Sequence, residues 1–125
     1  MRTLSSAPDL VARTKAFSLA TIRFYSGLPK DTASQILGRQ LQRSATSVGA
    51  QYREAQRAKS ISDFISKTEG ALQEVDEAGY WLELIQESGL ERDAIVPLRE
   101  EAGQLLAIFV AITRKAKQTK LNRAG

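Results

Sequence analysis

The sequence predicts an all-α protein that folds as a single-domain, antiparallel up-down-up-down four-helix bundle. Three observations support this prediction: four segments with helical apolar periodicity, three short breaks between them, and no segment that alternates polar and apolar residues as a strand does. A chain of 125 residues is the usual size of one domain and can bury a core without disulfides or metals. Helices joined by short connections pack antiparallel.

We predict helices over residues 9–27, 32–57, 61–88 and 94–118, followed by a basic C-terminal tail. Gly27 and Pro29 end the first helix, because both residue types interrupt helical periodicity. Asp31 is a good N-cap for the second helix, since its carboxylate can accept hydrogen bonds from the free amides of the first turn.

The third helix begins after Ser60, which resembles the start of a capping box with Asp63 three residues later. Gly89 ends this helix, because a glycine just past a helix tolerates a positive φ. Pro97 falls in the first turn of the fourth helix, where its missing amide hydrogen costs least.

Apolar residues recur with helical spacing in each segment and predict one buried face per helix. The pattern is weakest in the first segment, where Leu10, Phe17 and Phe24 recur every seven residues. It is clearest in the other three segments, whose predicted core positions are Leu37, Leu41, Ala45, Val48, Tyr52, Ala55, Ile61, Thr68, Val75, Leu82, Leu98, Ala102, Leu105, Phe109, Ile112 and Ala116.

Two helices carry more apolar surface than one bundle buries. The third has an aromatic and a leucine away from its main stripe, and the fourth is apolar on all sides from Leu105 to Ile112. Such a helix needs two partners. We therefore predict a homo-oligomer whose interface includes Trp81, Leu84, Gly103, Ala107 and Ala111. The alternative, that these are the single exposed apolar residues of an ordinary monomer, stays open.

Composition excludes several classes of chemistry. The chain has no cysteine and no histidine, which excludes disulfides, thiolate metal sites, cysteine nucleophiles and histidine acid–base catalysis. Di-iron bundles need Glu-x-x-His motifs, and phosphate-binding loops need clustered glycines; neither pattern occurs. We predict no catalytic residue, no metal site and no cofactor, so the protein is not expected to be an enzyme.

No segment approaches the length that spans a bilayer. The longest unbroken apolar run, from Leu105 to Ile112, is less than half of the ~18–20 residues required. The first ten residues also lack the apolar region of a signal peptide. We expect a cytoplasmic protein without a membrane partner.

Charge is distributed unevenly along the chain, although the net charge is only +4. Residues 1–60 hold ten Lys or Arg against three Asp or Glu, residues 61–101 hold three against eleven, and residues 102–125 hold five against none. Either the basic and acidic helices neutralise each other, within one fold or across subunits, or a basic face is available for a polyanion.

The second helix presents a basic stripe. Its four arginines lie within ~40° of the direction opposite Val48 and span ~27 Å along the helix axis. They are Arg39, Arg43, Arg53 and Arg57. Arginine suits phosphates, because its planar guanidinium donates two parallel hydrogen bonds. The alternative, that these arginines pair with acids of the third helix or are only solvated, stays open; the acids within reach are Asp76, Glu83 and Glu87.

The basic tail, which continues to Lys120 and Arg123, offers a second contact for nucleic acid through Arg114, Lys115 and Lys117. Basic residues at a helix C-terminus are also favourable through the helix dipole alone, and that alternative stays open. No exposed aromatic residues alternate with these cations. Recognition of the nucleic-acid backbone or shape is therefore more consistent with the sequence than base reading.

A motif in the second and third helices resembles a known family. Its positions are Gln40, Leu41, Arg43, Ser44, Ala45, Ser47, Val48, Gln51, Tyr52, Glu54, Ala55, Arg57, Ser60, Asp63, Phe64, Gly70, Ala71, Leu72 and Glu74. The chain resembles the S23-like four-helix bundle proteins of 23S rRNA intervening sequences, and is similar to the accessory protein of diversity-generating retroelements. The resemblance implies a ring-shaped homopentamer without enzymatic activity.

It also implies a nucleic-acid ligand or a nucleic-acid-handling partner such as a reverse transcriptase. We therefore predict a non-catalytic oligomeric scaffold that binds the backbone of RNA or DNA through a basic face. The alternative is a protein–protein adaptor with no direct nucleic-acid contact. The partners of the arginines distinguish the two hypotheses, because arginines that form ion pairs with acidic residues of the protein would favour the adaptor.

Overall fold

The computed structural model describes residues 9–90 and 93–124. These residues form four helices and no strand: α1 (Leu10–Ser26), α2 (Thr32–Gln56), α3 (Ile61–Ile85) and α4 (Ile95–Ala124). Helix α2 packs against α1 and α3, and α3 packs against α4, whereas α1 and α4 meet along a smaller area. This arrangement confirms the predicted all-α fold and is that of an antiparallel bundle.

The predicted caps are present. Asp31 accepts a hydrogen bond from the Ser34 amide at 3.1 Å, and the Ser60 hydroxyl accepts one from the Asp63 amide at 3.0 Å. The Asp63 carboxylate reaches back to the amide of Lys59 at 3.3 Å rather than to that of Ser60. These bonds satisfy amides that have no partner within the helix, so the chain begins α2 and α3 where the sequence predicts.

Two helix ends differ from the prediction. Helix α3 ends at Ile85 and not at 88, because a wide π-helical turn, Gln86–Leu90, follows it and contains Gly89 at φ 86°. Helix α4 continues to Ala124 and not to 118. No glycine or proline interrupts its last two turns, and Gln118 donates a hydrogen bond to Asn122 at 3.1 Å within them. The basic tail is thus the end of a helix.

The core lies between the apolar stripes of the four helices. Its largest fully buried side chains include Leu41, Leu82, Leu105 and Phe109. The ring of Tyr52 meets that of Phe109 edge-on, with the ring centres 5.7 Å apart. The hydroxyls of Thr14, Thr21 and Thr68 donate to backbone carbonyls of their own helices, that of Thr113 to the Thr68 hydroxyl, and that of Ser34 to the Asp31 carboxylate, so they add little cost to burial.

Gly38 and Gly79 offer a matched test of packing. A Cβ atom at Gly38 would overlap Tyr25 Cδ1 and lie 2.8 Å from Leu28 Cδ1, whereas one at Gly79 would meet nothing within 4 Å. We expect Gly38→Ala to lower the free energy of unfolding by about 1–3 kcal/mol, because Tyr25 and Leu28 must move. Gly79→Ala should raise it by about 0.5–1 kcal/mol through helix propensity. Urea unfolding measures both, and equal midpoints would contradict the predicted contact.

Candidate nucleic-acid interface

The four arginines of the predicted stripe, three on α2 and Arg57 directly after it, divide into one that is paired and three that are not. Arg43 contacts the carboxylate of Glu77 on α3, and its second guanidinium nitrogen lies 3.8 Å from Glu74 Oε1. Arg39, Arg53 and Arg57 are exposed and form no ion pair with any residue that the structure describes. Arg43 therefore helps to hold α2 against α3, while the other three side chains are available to a ligand.

Glu77 is the centre of this α2–α3 contact. Its Oε1 atom also accepts hydrogen bonds from the Ser44 hydroxyl at 2.8 Å and from the Trp81 indole at 3.3 Å. The bonds from Ser44 and Trp81, together with the charge of Arg43, hold the pKa of Glu77 below its ordinary value. The carboxylate is thus ionised at neutral pH and keeps Arg43 in place. A second pair, Lys67 with Glu54 at 2.9 Å, joins the same two helices.

The antiparallel arrangement brings the end of α4 beside the start of α3. Lys117 forms an ion pair with Glu69 at 2.7 Å, and the Thr113 hydroxyl lies 3.4 Å from that of Thr68. The end of α4 is therefore at the same end of the bundle as the turn between α2 and α3. Of the predicted tail contacts, Lys117 is used in this pair, whereas Arg114 and Lys115 are exposed without an ion pair to the described residues.

Exposed cations from separate parts of the chain thus collect in one half of the bundle, which we call the basic end. It comprises Arg53, Arg57, Lys59, Arg114, Lys115, Lys120 and Arg123. Arg39 lies toward the opposite end, ~21 Å from Arg53 along the axis of α2. Lys120 and Arg123 continue the predicted basic tail, whereas Lys59 was not among the predicted contacts and only the charge count of its segment pointed to it.

In the opposite half of the bundle, the face formed by α3 and α4 is mostly acidic. Its exposed carboxylates are Asp76 and Glu83 on α3, Glu87 in the turn that follows, and Glu100 on α4. A groove of about 660 Å³ between these helices is bordered by Asp76, Glu83, Arg99 and the ring of Tyr80, which is 51% exposed. This face would repel a polyanion, whereas the α1–α2 side of the same half carries the exposed cations Arg23, Lys30 and Arg39.

The predicted interface residues differ in how much surface they offer. Gly103, Ala107 and Ala111 are exposed on the back of α4, and a Cβ atom at Gly103 would meet nothing within 4 Å. Trp81 and Leu84 are half-buried, and the Trp81 ring packs against the core. The back of α4 therefore remains the stronger part of the predicted interface.

The described residues include no group of three or more carboxylates placed to hold a metal ion. None of their helices combines the length and the apolar character that a membrane span requires.

Comparison with known proteins identifies the family. The model of the 23S rRNA-intervening sequence protein family matches residues 9–111, which is most of the chain. This chain belongs to that family. A crystal structure of a protein of unknown function from the S23 ribosomal protein family of Bacteroides thetaiotaomicron VPI-5482 has a TM-score of 0.74 and 30% identity, covering 82% of this chain and 96% of that one. No curated protein matches the chain.

The motif by which the S23-like sequence resembles its family lies mostly along the α2–α3 contact. Ser44 donates to Glu77, and Glu54 pairs with Lys67. Gln51 lies against Gly70, where a Cβ atom would be 2.7 Å from its Oε1 atom. These polar positions are therefore explained by helix packing. The motif is a signature of the fold, and the free cations of the basic end lie largely outside it.

Proposed function

We propose that this 23S rRNA-intervening sequence protein is a non-catalytic, oligomeric scaffold of the cytoplasm that binds the backbone of RNA or DNA through its basic end. One observation supports this most directly: seven exposed cations share one half of the bundle and form no ion pair with the described carboxylates. Held close together, such cations repel one another, and a polyanion relieves that repulsion while releasing its own counterions.

The side chains of the basic end are suited to recognise the phosphate backbone of a nucleic acid. Arginine and lysine bind phosphate, whereas base reading in single strands requires exposed aromatic rings. The described rings nearest this end, Tyr52 and Phe64, are half-buried, and Tyr52 packs against Phe109. The ligand is therefore a structured or double-stranded nucleic acid whose phosphates are accessible.

Assembly of several subunits would strengthen the binding of nucleic acid by the basic end. The exposed small residues on the back of α4 permit a second helix to approach closely, and the family resemblance implies a homopentamer. A closed ring repeats the basic end in every subunit, so several weak phosphate contacts would act together. We therefore propose that the chain assembles as a homopentamer.

The salt dependence of binding tests this function. The full chain is titrated into a fluorescent 20-base-pair RNA duplex and its DNA counterpart at KCl concentrations between about 50 and 300 mM. For each phosphate contact, the log of the binding constant falls with the log of the salt concentration with a slope of about −0.9. With about four contacts we expect a slope of about −3.6 and similar affinity for many sequences. A slope near zero, or no binding at the lowest salt concentration, would contradict the proposal.

A protein–protein adaptor is the second candidate, and the acidic groove between α3 and α4 favours it. Its apolar floor, its exposed Tyr80 and a rim with three carboxylates against the single cation Arg99 would fit a basic partner protein such as a reverse transcriptase. The pairing of Arg43 with Glu77 also agrees with this candidate. The duplex titration separates the two, because an adaptor without direct contact would not bind either duplex.

A further inference from the structure

We propose that the groove between α1 and α2 is a seat for a single phosphate group of the nucleic-acid backbone, held between Lys15 and Arg53. This inference rests on the proposed function and names one subsite of it. The groove has a volume of about 280 Å³, and both cations line it. Its other walls are small or hydroxyl-bearing side chains, among them Ser18, Thr46, Gly49 and Ala50.

The charges of this groove are uncompensated. Lys15 and Arg53 are exposed, no acidic residue lines the groove, and neither cation forms an ion pair with the described part of the chain. The other side of α2 differs, because Arg43 and Lys67 there each meet a carboxylate. An anion between Lys15 and Arg53 would replace their mutual repulsion by two attractions.

The two rims of the groove are held at a set separation. The Ser18 hydroxyl on α1 lies 3.2 Å from the carbonyl oxygen of Ala45 on α2. A Cβ atom at Gly49 would be only 3.2 Å from Thr14 Oγ1, so the helices touch at the floor. The cations therefore do not have to bring the helices together when the ligand arrives, which lowers the cost of binding.

The chemistry of the lining selects a phosphate. The hydroxyls of Ser18 and Thr46 donate to backbone carbonyls, so the positive charges of Lys15 and Arg53 supply the attraction. The guanidinium can donate two parallel hydrogen bonds to one phosphate, and the ammonium adds a point charge. With no long side chain on the floor at Gly49 and Ala50, a backbone phosphate can enter the groove.

Conservative removal of each charge tests the seat. We compare Lys15→Gln, Arg53→Gln and the double variant on the 20-base-pair RNA duplex, with Lys30→Gln as an exposed control outside the groove. Each single variant should weaken binding about three- to fivefold. Because both cations serve one phosphate, the affinity loss of the double variant should be smaller than the product of the two single-variant losses. The slope of its log affinity against log salt concentration should fall by about 0.9 in magnitude. Multiplicative losses, or behaviour like that of Lys30→Gln, would overturn the single seat.

Inorganic phosphate provides a readout that does not need nucleic acid. In amide NMR spectra of the full chain, added phosphate should shift the signals of Ser18, Gly49 and Ala50, and the double variant should lose these shifts. Absent shifts, or shifts spread evenly over all exposed cations, would overturn the proposal. A wild-type chain that binds phosphate here but neither duplex would refute the proposed function and leave the groove as a phosphate site.

Discussion

Reversing two charges of the basic end, Arg57→Glu together with Arg114→Glu, should weaken binding to an RNA duplex about 100-fold at 50 mM salt. Arg57 follows the end of α2 and Arg114 lies on α4, and the fold brings both to the same end of the bundle. Both are exposed without an ion pair to the described residues. Each substitution removes an attraction and adds a repulsion toward the phosphates. In an assembly the loss is repeated in every subunit.

The matched control is Arg23→Glu with Lys30→Glu, which changes the net charge by the same amount at the other end of α1. If binding depends on the position of the charges, the control should keep most of the wild-type affinity. Equal losses in the two variants would show that net charge alone drives binding, and the basic end would not be a site. Arg43 stays unchanged in both, because glutamate there would face Glu77 and Glu74 and weaken the α2–α3 contact.

Placing two glutamates on the back of α4, Ala107→Glu with Ala111→Glu, should convert the assembly into single 13.7 kDa chains. Both alanines are exposed in the isolated chain, so the bundle itself should fold with nearly unchanged stability. At a close helix–helix contact, however, the carboxylates would be buried without partners, which costs several kcal/mol for each charge and should prevent assembly. Light scattering coupled to gel filtration measures the mass, and circular dichroism checks the fold.

The matched control adds the same charge elsewhere on α4, through Gln118→Glu and Asn122→Glu, which are exposed near its end. This control should assemble as the wild type does. A wild-type chain that elutes as a 13.7 kDa monomer at micromolar concentration would contradict the predicted interface at once. Unchanged assembly of the Ala107→Glu/Ala111→Glu variant would place the interface elsewhere on the bundle.

Much of the fold could be predicted, because its signals are local. Asp31 and Ser60 cap helices through atoms three residues away, and Gly89 takes the positive φ that its position after α3 requires. Apolar spacing along one helix likewise identifies which face is buried. The end of α4 was less predictable, because no glycine or proline marks it. The ion pair of Lys117 with Glu69 could not be predicted either, because Glu69 lies on another helix.

The site was predicted only in part. In the sequence, Arg43 and Arg53 have equivalent positions ~40° to either side of the stripe. In the structure Arg43 meets Glu77 on α3, whereas Arg53 lines a groove with Lys15 of α1, which the sequence did not single out. The difference arises from the neighbouring helix on each side, and no property of α2 alone contains it.

The sequence by itself determined that this protein is built from four capped amphipathic helices, without the residues for disulfides or histidine chemistry, because composition, capping and periodicity act within one segment. Only the tertiary structure decided which cations form ion pairs with carboxylates and which unpaired cations line the same groove. Ion pairs form between atoms within about 4 Å, and the residues that supply those atoms lie on different helices, up to 88 positions apart in the chain.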